Sequence, residues 1–454
     1  YSLLSYSNIK YYFYPEASDN NPFHPDSVEV IFRVGADSLN YYQASQRVAV
    51  IPYQQKMQRD DWTALSINLQ DLTSMKEAFY GETSGSITLD NTRYSFKGNP
   101  TLTNVRDIYF GIYNPTDIPS PTPMNGTIYF NDLTVTDPYE DVGVARRVSL
   151  NSVFADFSTL DVDYEEKSEN FNTTIQRGRS NTFTSLRSLN ISNKYFLNKF
   201  FPVSWGLDMP LSLMRTYSLG IPRFRANSDL LRDNIADPDE KHRERNENLV
   251  YSADFGISQR TAPKNKILAY TIYRSSFSGR IEKAFRHAPT AADTTFTWRG
   301  TYNYNLSFPS NSVSIPLFKN YSLGFFPTTW NNSFTLSATE PQSWNWERRD
   351  NVYNWHPRSQ TVDTKLFTSD TNINWGLTSD IALTLRFNSK RDLIQKQYLK
   401  KINVGKLTEY VQDLGVNYNP NYFRKDFNLT VSGSSRFSEN QRKYYQNVSG
   451  VQTE

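Results

Sequence analysis

The sequence predicts an all-β chain in two parts, a jelly-roll-like β-sandwich module followed by part of an antiparallel transmembrane β-barrel. Three observations carry this expectation. Trp 8, Tyr 30 and Phe 29 make up 15% of the 454 residues, yet hydrophobic residues total only 38% and mean hydropathy is −0.63. Aromatics spread among Ser, Thr and Asn suit strands with one apolar and one wet face. Apolar residues recur at period two through most of the chain. Near residue 143 the alternating segments become longer and more aromatic.

Residues 1–142 form the first part. Val28, Val30, Phe32 and Val34 share one parity, as do Leu65, Ile67 and Leu69, and Ile108, Phe110 and Ile112. Ile128 and Phe130 precede Asp132, after which Leu133 and Val135 take the opposite parity. Such a flip inside a strand predicts a β-bulge. Turn signals at Asn99-Pro100, Asn114-Pro115, Pro119 to Pro123 and Asp137-Pro138 separate short strands, as in a sandwich or jelly roll. Asp71 to Tyr80 has room for one short helix.

Residues 143–454 form the second part. In 296–308, Phe296, Trp298, Tyr302, Tyr304, Leu306 and Phe308 fill even positions, and Arg299, Asn303 and Asn305 fill odd ones. Ile373, Trp375, Leu377, Ile381, Leu383, Leu385 and Phe387 repeat the pattern, with Thr378-Ser379-Asp380 as a candidate hairpin turn. Val148, Leu150 and Phe154, the run Leu268-Tyr270-Ile272, and Phe427-Leu429-Val431 read as strands too. A soluble sandwich with one face in water produces this pattern. So does a barrel with one face in lipid and one on a polar lumen, built from strands of about 9–11 residues. Segment length favours the barrel, because soluble strands average about 5–6 residues. Tyr195, Trp205, Trp298, Trp330 and Trp375 near segment ends favour it as well, as interfacial girdles require. In the barrel reading the even face of 296–308 meets lipid and the odd face lines the lumen. Tyr304→Arg then impairs assembly and Asn303→Arg is tolerated.

Two stretches read as loops. Asn227 to Asn248 is dense in charge and without a period, a solvated segment with room for a short helix. Residues 340–360 hold Trp344, Trp346, Tyr353, Trp355 and His356 beside Arg348 and Arg349, a cluster that suits loop packing, a membrane girdle or sugar stacking.

Composition excludes several classes. Lys plus Arg total 49 against Asp plus Glu 46, a net charge of +3, which gives no case for nucleic acid. With no cysteine there is no disulfide, thiolate chemistry or cysteine-ligated metal. The histidines His24, His242, His287 and His356 lack ligand spacing. Carboxylate neighbours such as Asp60-Asp61, Glu165-Glu166 and Asp239-Glu240 point to opposite sides of a strand or lie in solvent, so no general acid/base pair is expected. Gly-x-Ser-x-Gly is absent. A structural Ca²⁺ through Asp132 or Asp137 is the one metal reading, and no enzyme activity, cofactor or metal is expected. The chain opens Tyr1-Ser2-Leu3 without Met and reads as a fragment.

Two motifs carry a resemblance. One is Phe96-Lys97-Gly98-Asn99-Pro100-Thr101-Leu102, continuing through Val105-Arg106-Asp107-Ile108-Tyr109-Phe110-Gly111 to Gly126-Thr127-Ile128-Tyr129-Phe130-Asn131-Asp132. The other is Leu197-Asn198-Lys199-Phe200-Phe201-Pro202-Val203-Ser204-Trp205-Gly206. In order and spacing they resemble the SprA/Sov family, best over residues 60–320. The resemblance implies a very large barrel in the outer membrane of Gram-negative Bacteroidota. It implies the translocon of type IX secretion, which also supports gliding motility. Implied partners are outer-membrane lipid, secreted protein substrates, and barrel partner and plug proteins. Gly98, Asn99 and Pro100 fit a tight turn. Pro202, Trp205 and Gly206, with Phe200 and Phe201, fit an aromatic belt at a strand end. Structural roles are expected for Gly98, Asn99, Pro100, Pro202, Trp205 and Gly206. Two other functions stay open: a small-solute outer-membrane channel or transporter, and a soluble glycan-binding sandwich. A TonB-dependent transporter would carry a plug before its barrel, whereas a sandwich precedes the strands here.

Overall fold

The computed structural model describes residues 2–19, 27–52, 62–113, 125–139, 141–171, 183–308, 314–318, 321–349, 352–357, 362–399, 402–420, 429–441, 446–448 and 451–453. His24, Asp60-Asp61, Asn114-Pro115, Pro119 to Pro123 and Phe427 lie outside the described residues, as do the side chains of Trp346, Arg348, Arg349, Tyr353 and Trp355.

The first part is a sandwich of two antiparallel sheets. Its elements are β1 (Tyr6–Ala17), β2 (Ser27–Gly35), β3 (Tyr41–Ala49), β4 (Thr63–Asn68), α1 (Leu69–Ala78), β5 (Ser84–Leu89), β6 (Thr92–Lys97), β7 (Asp107–Tyr113) and β8 (Gly126–Pro138). One sheet has the order β4-β1-β8 and the other β5-β6-β3-β2-β7. The alternation of β2 turns Val28, Val30, Phe32 and Val34 inward, where they join Ile9, Tyr11 and Phe13 of β1 in one core. The bulge is where the parity flip placed it. Asp132 has φ +53°, and the β1–β8 ladder slips between Lys10 and Tyr12. α1 begins because the Asn68 side chain accepts the Gln70 N–H at 2.8 Å, with Asp71 in the first turn and Lys76 in the last. Its Leu69, Leu72 and Met75 are buried in the core.

The second part is one antiparallel sheet in which twelve strands pair in chain order. They are Ala145–Phe154, Ser158–Lys167, Thr184–Phe196, Pro210–Pro222, Asn246–Gln259, Ser275–Ala288, Ala291–Ser307, Thr329–Arg349, Thr364–Gly376, Ile381–Asp392, Lys406–Tyr418 and Val431–Asn440. Among the described residues the first and last of these do not pair with each other, so no closed barrel forms. Among the described residues no helix is long and apolar enough to cross a membrane.

Several sequence expectations are corrected. Residues 340–357 are not a loop: Thr329–Arg349 runs on as a strand and pairs with Val352–Pro357 as a hairpin. Leu268-Tyr270-Ile272 is not a strand. The Asn265 side chain accepts the Ile267 N–H at 2.9 Å and starts a short helix, Lys266–Tyr270. Trp298 lies in the middle of its strand rather than near an end. Thr378-Ser379-Asp380 is indeed a turn between two strands, closed by the Thr378 hydroxyl accepting the Asp380 and Ile381 N–H groups at 3.2 and 3.0 Å.

Candidate functional site: two faces of a sheet and a buried dock

Cross-strand partners share a face, so the register sorts side chains across the whole long sheet. One face carries Leu150 opposite Val162 and Val162 opposite Ile191. It continues with Leu213 opposite Ala253, Ala253 opposite Ile281, and Ile281 opposite Trp298. Leu336 opposite Phe367, and Ile373 opposite Leu385 opposite Leu414, carry it onward. Phe296, Tyr302, Tyr304 and Leu306 stand on this face with Trp298. Phe308 follows the strand end, and its ring lies 5.5 Å from that of Phe326. Among the described residues no second sheet covers the band, and Ile281 is 54% exposed.

The opposite face is polar and threaded with ion pairs. Arg147 meets Asp163 at 3.2 Å, and Arg280 meets Asp254 at 3.3 Å and Glu282 at 2.6 Å. Arg386 meets Asp370 at 3.1 Å, and Arg436 meets Asp413 at 3.5 Å. Arg299 and Asn303 share this face and pair in register with Arg280 and Ser276; Asn305 lies on it beside them. These pairs are exposed, and each contributes about 0–1 kcal/mol in water. They mark a hydrated surface rather than hold the sheet together.

The apolar band ends toward the sandwich. There the same face carries the Arg187–Glu166 pair at 2.9 Å and the Lys365–Glu340 pair at 3.8 Å, while within the band Arg215 stands opposite Ile191 and lies over the Tyr251 ring at 5.6 Å. At the far end Tyr195, Trp330 and Trp375 sit one residue inside their strand termini.

The sandwich docks on the loop between strands Pro210–Pro222 and Asn246–Gln259. Asp229 from this loop is buried in the module, and its side chain has no exposed surface. It accepts the Tyr42 hydroxyl at 2.9 Å, the Leu102 N–H at 2.9 Å and Lys76 Nζ at 3.0 Å. Lys76 Nζ also donates to the Pro100 carbonyl at 2.6 Å. Burial first, then the Asp229 carboxylate, pushes the Tyr42 hydroxyl well above its usual range. Leu230, Arg232 and Ile235 are buried beside Asp229. The loop is therefore not the solvated stretch its charge suggested. Its helix Pro238–Arg243 is capped by Asp237 at 3.0 Å. Arg225 stacks on Tyr80 at 4.4 Å and pairs with Glu240 at 3.5 Å.

The first motif builds the receptor for this dock. Gly98 has φ +70°, and a Cβ there would collide with the Leu39 carbonyl oxygen and the Asn40 side chain. The Asn99 N–H donates to Asn40 Oδ1 at 2.9 Å. The turn so fixed aims the Pro100 carbonyl and the Leu102 N–H at Lys76 and Asp229. Sequence reasoning missed Tyr42, Lys76 and Asp229 because their pairing spans up to 187 residues. The second motif is not a strand end. It forms two 3-10 turns, Leu197–Phe200 and Val203–Trp205, closed by Gly206 at φ +59°. Pro202 leads into the second turn, and Phe201 stacks on Trp205 at 5.8 Å.

Three of the described carboxylate neighbours are engaged separately. Glu165 pairs with Lys167 and Glu166 with Arg187, on opposite faces, while Glu240 pairs with Arg225. Asp137 accepts from Asn8 at 2.8 Å and Thr136 at 2.9 Å, with Lys10 at 3.6 Å. Among the described residues no group of three His, Cys, Asp or Glu is placed to hold a metal ion.

Residues 1–230 match the SprA_N family model, described as motility related/secretion protein. The matched residues include both halves of the dock. No curated protein matches the chain.

Proposed function

Because the chain belongs to the SprA_N family of motility related/secretion proteins, not a family of enzymes, we propose that its long sheet is an arc of the wall of a protein-conducting channel in a Gram-negative outer membrane, serving type IX secretion and gliding motility. The observation that carries this reading is the register, which gathers a band of apolar side chains from successive strands on one face, bounded toward the sandwich by charged pairs, and an ion-paired polar surface on the other. In water the apolar face has no partner. Against lipid each Å² removed from water contributes about 25 cal/mol. Phe296 to Leu306 spans ten residue steps, about 33 Å of strand. At a tilt of about 40° that is close to the 25 Å apolar height of outer-membrane barrels.

On this reading Phe296, Trp298, Tyr302, Tyr304, Leu306 and Phe308 face lipid. Arg299, Asn303 and Asn305 line a wet lumen through which secreted proteins pass. The unpaired sheet edges continue into further strands of a larger wall, with barrel-partner and plug proteins attached. The sandwich, locked by Asp229 to one end of the strands, stands as a fixed post at the channel mouth.

A cysteine scan tests this directly, because the chain has no native cysteine. Single cysteines at positions 297–304 are treated in intact outer membranes with a charged, membrane-impermeant maleimide. Odd positions label and even positions do not. Equal labelling at both parities contradicts the wall.

A further inference from the structure

At the end of the sheet away from the sandwich, three loops fold outward over the apolar face. Phe200 packs on Phe157 at 5.2 Å, and Phe157 on Tyr195 of the apolar face at 5.8 Å. The Tyr270 carbonyl accepts the Tyr304 hydroxyl at 2.7 Å. The Gly324 carbonyl accepts Trp375 Nε1 at 2.9 Å. Each loop is thus tied to a side chain of the apolar band, and each then presents bare apolar surface. Phe200 and Ile267 are both 73% exposed, and Ile272 and Phe325 are more than half exposed.

The middle loop is also one-signed in charge. From Thr261 to Ser275 it holds Lys264, Lys266 and Arg274 and no carboxylate, and Arg260 before it pairs with Asp208 at 2.8 Å. In the 197–206 loop of this rim Lys199 is neutralised by Asp156.

From these contacts we infer that the three loops form a membrane-embedded rim, in which the 264–274 segment binds the anionic headgroups of a lipid bilayer. This rests on the wall reading above, since it needs the apolar band to lie in lipid. The rim continues that band without a break, so the same bilayer that covers Trp298 reaches Tyr270 and Phe308. A short helix that carries Lys266 beside the exposed Ile267 and Leu268 settles at the boundary between headgroups and acyl chains, about 5–10 Å deep. Tyr and Trp prefer that level. Basic residues near an anionic surface add attraction that falls off within about 8 Å at physiological salt. The sandwich end carries mixed charge instead, with Asp233, Glu240 and Glu244 among its bases.

The test uses the full chain in outer-membrane vesicles, with a nitroxide on a single cysteine at 281, 267 or 239. Relaxation by oxygen against a neutral nickel chelate reports depth. Position 281 reads deep in hydrocarbon, 267 at the headgroup level and 239 in water. The variant Lys264→Gln/Lys266→Gln/Arg274→Gln moves 267 toward water, raising its nickel accessibility at least twofold, and leaves 281 unchanged. A deep 281 with 267 as wet as 239 overturns the rim and leaves the wall intact. An unmoved 267 in the triple variant overturns headgroup binding. A wet 281 overturns the wall itself, and the rim falls with it.

Discussion

The sandwich and the long sheet are written in the same alternating pattern and dispose of their apolar side chains in opposite ways. In the sandwich, Phe13 of β1 and Val28 of β2 belong to one core between two sheets and are fully buried. In the long sheet, Ile281 and Leu150 stand on one face of a single layer and remain more than half exposed. Alternation therefore specifies a two-faced strand but not what lies against either face. The difference comes from what each strand has to meet. Sandwich strands are mostly short and find a second sheet and α1 within the same 140 residues. Among the described residues, sheet strands pair sideways with their chain neighbours, and no second layer reaches their apolar face.

Substitutions at matched positions sharpen this contrast. Phe13→Ala opens a cavity in a closed core and should lower the stability of the module by up to about 5 kcal/mol, read by urea denaturation followed through protease protection. Ile281→Ala on the sheet should change the same readout little. An equal loss at both would mean that the apolar face is packed after all.

The dock that joins the regions gives the next largest effect. Asp229→Ala strands a buried Lys76 ammonium and should cost about 3 kcal/mol. Limited proteolysis between 226 and 245 should then accelerate sharply. Replacing both partners, as Lys76→Met/Asp229→Leu, should restore much of the protection. Failure of the double variant to recover would mean that the loop is held by its other contacts.

Gly98→Ala should cost at least about 1–2 kcal/mol, because a side chain is forced into the left-handed region and against the Leu39 carbonyl oxygen, and should loosen the same loop in the same proteolysis assay. Smallest is a pH effect. The Tyr42 hydroxyl is raised by burial and by Asp229, so the folded state holds its proton where the unfolded chain has lost it. Its contribution is complete below about pH 10, the usual tyrosine value, and declines as pH rises above that. The stability of the module should fall more steeply with alkali in the native chain than in Tyr42→Phe. Parallel curves would remove Tyr42 from the dock.

Local features were legible where the chain carries its own signal. The parity flip at Asp132 marked the bulge, and Asp71 to Tyr80 overlapped α1. The even and odd sets of 296–308 sort onto two faces because a strand does so by geometry. Features that depend on distant partners were not legible. The charges of 227–248 implied solvent, yet Asp229 is buried against a lysine 153 residues away. Leu268-Tyr270-Ile272 alternates like a strand, but Asn265 caps a helix there and no neighbouring strand offers a ladder. Residues 340–357 looked like an aromatic loop because two strands of one hairpin were read as a single cluster.

The central claim is that the face bearing Trp298 lies against lipid and the face bearing Thr297 does not. Trp298 is the cleaner probe than Tyr304, whose hydroxyl is tied to the Tyr270 carbonyl. A charge at mid-bilayer on the lipid side of a barrel costs about 2–4 kcal/mol. The decisive measurement is outer-membrane assembly, scored by protease resistance of the membrane-inserted protein, for Trp298→Arg and Thr297→Arg side by side. The account predicts a large loss of assembled protein for Trp298→Arg and near-native levels for Thr297→Arg. Equal assembly of the two, or failure only of Thr297→Arg, would contradict it.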